Sequence, residues 1–193
     1  MSTVFLDIDT QLDFLYPAGA LYVPGAEQLI PTLARLTNYA EAHGIPLVST
    51  VDAHAENDRE FQSWPKHCVA GATGQHKAAA TLLGSNAVIP NRPEGFAVPN
   101  AHQFIIEKQT VDAFQTHTIV HLLQALNPDR FVVYGVVTEI CVLHAVRGLF
   151  QFCKPIAVVT DAIRELTGSA CHQAFGEMRA GGASLTTSSE VLP

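Results

Sequence analysis

The sequence predicts an α/β protein, an open, mostly parallel sheet of about six strands with helices on both faces. Three observations predict it. Short apolar runs alternate along the chain with stretches of helical spacing. Those runs are almost continuously apolar, as strands covered on both faces are. Gly, Pro and Asn punctuate most of the junctions between them.

Val4-Phe5-Leu6-Asp7-Ile8-Asp9 opens as a strand, and Asp7 and Asp9 share a face if it stays regular. Pro17, Gly19, Pro24 and Gly25 mark a long irregular connection. Residues 26–43 follow helical spacing and stop at Gly44. Ile45 to Val51 is the second strand, ending in Asp52-Ala53-His54. Residues 76–84 read as a short helix, and 87–90 as a weak strand or a loop. A strand over 103–108 ends in Lys108, and a helix over 115–126 stops at Asn127-Pro128. The run 131–134 is a strand that ends at Gly135. A helix begins there, with Thr138 as N-cap and Cys141 in its first turn. Residues 155–160 form a strand ending at Asp161, 169–180 a helix stopped by Gly181-Gly182, and 183–187 the last strand.

Composition narrows the function. The 193 residues suit one domain with a full core. They are 48% hydrophobic and carry a net charge of −7 without a basic run, which argues against nucleic acid and anionic membrane as partners. No stretch approaches the ~18 apolar residues of a membrane span. The start lacks the basic segment of a signal peptide. Four cysteines without a C-x-x-C pair fit a reduced, cytoplasmic setting.

Asp9, Asp52, Lys108, Cys141 and Asp161 all fall at predicted strand ends. In a parallel sheet those ends share one edge, where ligands bind. A thiol, a carboxylate and an amine meeting there make a nucleophilic site. A helix N-terminus favours a thiolate and offers N–H groups to an oxyanion. Position alone leaves a buried, structural thiol as the alternative.

The ordered motifs resemble those of the isochorismatase-like cysteine hydrolases, the nicotinamidases most closely. They are Asp9-Thr10-Gln11-Leu12-Asp13-Phe14, Gly19-Ala20-Leu21 with Val23-Pro24-Gly25, Trp64-Pro65-Lys66-His67-Cys68-Val69 with Gly71 and Gly74, and Gly135-x-x-Thr138-Glu139-x-Cys141-Val142. Glu177-Met178-Arg179 and Thr187-Ser188 echo the family's C-terminal segment, so the resemblance spans the chain. It implies a catalytic triad of Asp9, Lys108 and Cys141. It also implies a cis bond between Val136 and Val137, which aims the N–H groups of Val137 and Cys141 at one oxyanion.

The resemblance further implies a metal site at Asp52, His54 and His67, with Glu60 as fourth ligand and Asp58 as the runner-up. One carboxylate and two imidazoles suit Zn, Fe or Mn. Phe14, Trp64 and Phe114 are expected to wall the pocket. The implied reaction is hydrolysis of nicotinamide or a similar small carboxamide, and a homo-oligomer is expected. Alternatives are an amidase for a non-aromatic amide such as an N-carbamoyl compound, and a non-catalytic, ligand-binding relative. Asp112-Ala113-Phe114 in place of Ser-Ala-Phe, Ala72 in place of Thr, and apolar Ile140 before the cysteine leave the substrate open.

Overall fold

The structure is a computed structural model and describes residues 2–93 and 96–192. β1 (Thr3–Ile8) leads through α1 (Leu12–Leu15) to α2 (Ile30–Ala42) and β2 (Leu47–Asp52). β3 (Asn86–Ile89), β4 (Gln103–Lys108), α3 (Ile119–Leu126) and β5 (Arg130–Val136) follow. α4 (Leu143–Leu149), β6 (Ile156–Arg164), α5 (Gly168–Ala180), β7 (Ser184–Thr186) and α6 (Ser188–Val191) complete the order. The strands form one sheet in the order β3-β4-β2-β1-β5-β6-β7, and every pairing is parallel. The seventh strand is the weakly patterned stretch before Pro90, which pairs with β4 as an edge.

All six residues of β2 are buried, as are all but the first of β1 and of β5. A strand buried at both odd and even positions is covered on both faces, hence its unbroken apolar sequence. The order reverses at β1: the chain runs outward through β2 on one side and returns to β5 on the other. That reversal opens a crevice at the carboxyl ends of β1 and β5. Ile8 and Gly135 are register partners there. A Cβ on Gly135, whose φ is 119°, would lie 2.1 Å from the Ile8 carbonyl oxygen, so only glycine lets the two strands approach.

Four expectations change. Residues 76–84 hold only a 3₁₀ turn at Ala79–Thr81. Their backbone is used elsewhere: Leu12 N–H donates to the His76 carbonyl and Ala78 N–H to the Thr10 carbonyl. The helix expected over 115–126 starts at Ile119, behind a 3₁₀ turn at Ala113–Gln115. Asp9 does not continue the alternation of Asp7, because β1 ends at Ile8 and Asp9 turns to a φ of 51°. Asp161 does not end its strand: β6 runs on to Arg164 past a register shift against β5. Its carboxylate accepts from Ser188 N–H (2.7 Å) and Ser188 hydroxyl (2.5 Å), and so caps α6.

Candidate active site

Three strand ends and one turn bring Asp9, Asp52, Lys108 and Cys141 together. Asp52 and Lys108 are register partners across β2 and β4. Asp9, turned left-handed after β1, points across the same edge and accepts from the Thr50 hydroxyl at 2.6 Å. Lys108 is fully buried. Its ammonium lies 2.9 Å from Asp9 Oδ2, hydrogen-bonds Asp52 Oδ1, and stands 4.0 Å from Cys141 Sγ.

The turn that carries Cys141 is a π-type turn over Thr138–Val142, entered through a cis Val136–Val137 bond. Its N-cap position is Val137, and the buried Thr138 hydroxyl has no partner among the described residues, so Thr138 is not the cap. The Val137 carbonyl accepts from Ile140 and Val142 N–H, passing over Cys141. The Cys141 N–H makes no bond to that carbonyl, and wide turns of this kind recur at functional sites.

Electrostatics modify the expectation of a ready thiolate. Burial pushes the Cys141 thiol well up, the Asp9 and Asp52 charges add to this, and Lys108 only partly offsets them. Burial also raises Asp9, helped by the Asp52 charge and opposed by Lys108 and Thr50. Asp52 is buried too, yet Lys108, His54 and His67 hold it well below the usual carboxylate range. The same burial thus disfavours the charged form of both Cys141 and Asp9, and the Lys108 ammonium is the one group here that opposes it for both.

The second group is Asp52, His54 and His67, whose ligand atoms all lie within 4.8 Å of one another. The imidazoles are held by a short parallel bridge, with His54 N–H on the Cys68 carbonyl and Ala70 N–H on the His54 carbonyl. His67 Nδ1 stands 2.7 Å from the Pro65 carbonyl, which can only accept, so Nδ1 carries the proton and Nε2 is free to ligate. His67 Nε2 faces Asp52 Oδ2 at 3.6 Å, and His54 Nε2 faces it at 3.8 Å. Among the described residues, the Nε2 of fully buried His54 has no hydrogen-bond partner and faces the Asp52 carboxylate. Two buried imidazole Nε2 atoms beside a carboxylate fit a divalent cation, and the donor set is of the Zn, Fe or Mn type. Asp58 Oδ2 lies 3.2 Å from His54 Nδ1, and its other oxygen accepts from Glu60 N–H, so Asp58 braces His54 from behind. Glu60 lines the pocket instead, its carboxyl raised by burial and by the Asp52 charge.

Both groups open on one pocket of about 370 Å³, its mouth included. Phe14, Trp64, Glu60, His67, Val137 and Cys141 line it, together with Leu21, Val23, Val111, Ile140 and Leu166. Phe14 stacks obliquely on His67, with ring centroids 5.5 Å apart. Phe114 is not part of the wall. Its ring sits where a Cβ on Gly148 would fall and packs against Phe152, and Val111 lines the pocket from the same loop. Phe61, within 5.2 Å of the His54 ring and 5.8 Å of the His67 ring, covers the imidazoles and was not anticipated. Leu21, Val23 and Leu166 come from loops without periodicity, which leaves no sequence signal for their direction.

Comparison with known proteins agrees with this geometry. Residues 3–190 match the Isochorismatase domain. The Nicotinamidase of Escherichia coli K12 is 25% identical over 201 residues, covering 93% of this chain and 92% of that protein. The pyrazinamidase of Pyrococcus horikoshii, solved in complex with zinc, superposes with a TM-score of 0.80 at 23% identity, covering 97% of this chain and 99% of that one. The N-carbamoylsarcosine amidase of Thermoplasma acidophilum has a TM-score of 0.80 at 22% identity and full coverage of both chains. The match over residues 3–190 makes the chain a member of the isochorismatase family, and the seven parallel strands among the described residues agree with it.

Proposed function

We propose that the chain is a metal-assisted cysteine amidase that converts nicotinamide, or a similar small carboxamide, to the acid and ammonia. The observation that carries it is one small pocket onto which both Cys141, with Lys108 and Asp9 behind it, and the Asp52–His67 pair open. The pocket is small, and its walls are mostly apolar.

Asp9 takes the proton of Cys141, and the thiolate attacks the amide carbon. The N–H groups of Val137 and Cys141 receive the oxyanion. Asp9 returns the proton to the departing ammonia and then activates water against the thioester. Lys108 balances the charge of Asp9 and Asp52 and keeps both carboxylates aimed at the pocket edge. Phe14 and Trp64 flank a flat ring, while Ile140 and Leu166 exclude water. Asp52, His54 and His67, with Glu60 within reach, hold the metal, which when bound supplies a Lewis-acid anchor for a ring nitrogen or its water. The zinc of the Pyrococcus structure supports this choice. Four unpaired cysteines support a cytoplasmic setting.

Ammonia release from nicotinamide, benzamide and an N-carbamoyl amino acid, each with and without chelator, tests the reading. Nicotinamide is expected to be fastest, and chelation to slow it by about 100-fold through lost positioning. Equal rates for benzamide and nicotinamide, unchanged by chelation, would indicate a general cysteine amidase. A preference for the N-carbamoyl compound would move the substrate class to non-aromatic amides.

A further inference from the structure

We infer that Gln11 is a positioning residue that sets the spacing between Asp9 and Asp52, and with it the fit of Asp52 to its metal. The inference rests on the metal-binding reading of Asp52. β1 and β2 pair regularly up to Ile8 and Thr50, and the last bond between them is Asp9 N–H to the Thr50 carbonyl at 3.2 Å. Asp9 then turns left-handed and the β1 backbone leaves the sheet. The N–H and C=O of Asp52 face the place it has vacated, since the opposite side of β2 is held by β4. Both would be buried and unpaired there.

The side chain of Gln11 fills that place. Asp52 N–H donates to Gln11 Oε1 at 2.7 Å, and Gln11 Nε2 donates to the Asp52 carbonyl at 2.8 Å. The primary amide thus acts as one more residue of β1. Its second N–H donates to the Gln75 carbonyl at 2.8 Å, so both donors are used. The Gln11 backbone is equally committed. Its N–H donates to the Asp9 carbonyl at 2.8 Å, and its carbonyl accepts from Phe14 and Leu15 N–H in α1. One fully buried residue therefore ties Asp9, Asp52 and the turn bearing Phe14 to each other. Asp52 in turn holds Lys108 and faces His54 and His67.

Gln103 provides an internal control. It is also fully buried and makes three hydrogen bonds, to Leu83 N–H, the Ser49 hydroxyl and the Thr81 carbonyl. It sits at the start of β4, at the opposite end of that strand from Lys108. Gln11→Leu and Gln103→Leu each strand three polar groups, so a purely structural role predicts matched consequences.

The experiment measures Zn(II) affinity by chelator competition, with thermal midpoints, for the wild type, Gln11→Leu, Gln11→Glu and Gln103→Leu. The expected result is similar losses of thermal stability for the two leucine variants. Zn(II) affinity falls about 10- to 100-fold for Gln11→Leu, the usual range for groups that orient a ligand, and stays within twofold of wild type for Gln103→Leu. Gln11→Glu keeps the acceptor for Asp52 N–H but no longer donates to the two carbonyls, and its affinity is also expected to fall. It decides the matter if Gln11→Leu does not fold. Equal Zn(II) affinity in the Gln11 and Gln103 variants would overturn the positioning role while leaving the metal site standing. A wild type that binds no Zn(II) would overturn both.

Discussion

Lys108 and Asp52 face each other across neighbouring strands and form a buried ion pair, and the same ammonium reaches Asp9 at 2.9 Å. The candidate base and the candidate metal ligand are thus joined through one nitrogen. Replacing Lys108 with Met leaves two buried carboxylates without their cation. Breaking such a pair costs about 3–5 kcal/mol. Chemical denaturation should show a loss of that size, and amide hydrolysis should be undetectable. Retained turnover would remove Lys108 from the mechanism.

The pH profile should carry the signature of the raised Asp9. In the proposed mechanism the active form has Asp9 ionised and Cys141 protonated, so activity should be lost as pH falls through the Asp9 pKa. Burial first, then the Asp52 charge, lifts that pKa above its ordinary 3.8, and the acid limb of kcat/KM should lie above this value. Cys141 is raised as well, so its alkylation by iodoacetamide should keep accelerating into the alkaline range. Exposed Cys153 calls for a Cys153→Ser background. A plateau of alkylation below neutral pH would show a preformed thiolate and contradict the buried, neutral thiol.

Glu139 works at a distance from the chemistry. Its Oε1 accepts from Leu166 N–H at 3.0 Å and Thr167 N–H at 2.8 Å, and Leu166 is part of the pocket wall. Hydrogen bonds to a charged group contribute about 1.5–3 kcal/mol. Glu139→Ala should therefore raise KM by roughly tenfold, since each ~1.4 kcal/mol is a factor of ten. kcat should change less than KM, because Cys141, Asp9 and Lys108 stay in place. Steady-state kinetics separate the two parameters, and a loss confined to kcat would contradict the role.

A second buried pair underlies the sheet. Lys77 donates to Asp7 Oδ2 at 2.7 Å and to the Thr10 hydroxyl at 2.7 Å, and the Ser49 hydroxyl also meets Asp7. Lys77→Met alone should destabilise by about 3–5 kcal/mol, whereas Asp7→Leu combined with Lys77→Met should recover much of that loss. Denaturation midpoints of the three proteins decide it. A double variant no better than the single one would mean that the hydroxyls, not the ion pair, set the cost.

Much of the site was legible because its residues stand at the ends of strands whose apolar runs are plain. Asp52, Lys108 and Cys141 are of this kind. The misplacements have physical causes. Asp161 looked like a strand end because Thr160 and Asp161 interrupt the apolar run, whereas β6 runs on through Ala162-Ile163 past a register shift against β5. Residues 76–84 have a helical composition, but 76–78 are paired to the chain around Gln11. Thr138 suits an N-cap in any α-helix, and only the wider π-type turn denies it that role. Phe114 was expected in the wall as a flat aromatic, but Gly148 leaves a hollow on α4 that the ring occupies instead. Gln11 and Leu166 act through a backbone and a loop, and neither leaves a periodic trace.

The parallel sheet also fixes when activity can appear. Lys108 and Cys141 are 33 residues apart, and Asp52 and Lys108 are 56 apart, each brought together only after an intervening crossover has packed. Such long-range pairings form slowly. In a refolding time course, helical signal should return ahead of amide hydrolysis. Turnover is then a late clock for this chain: it starts only when four separate strands have found their register.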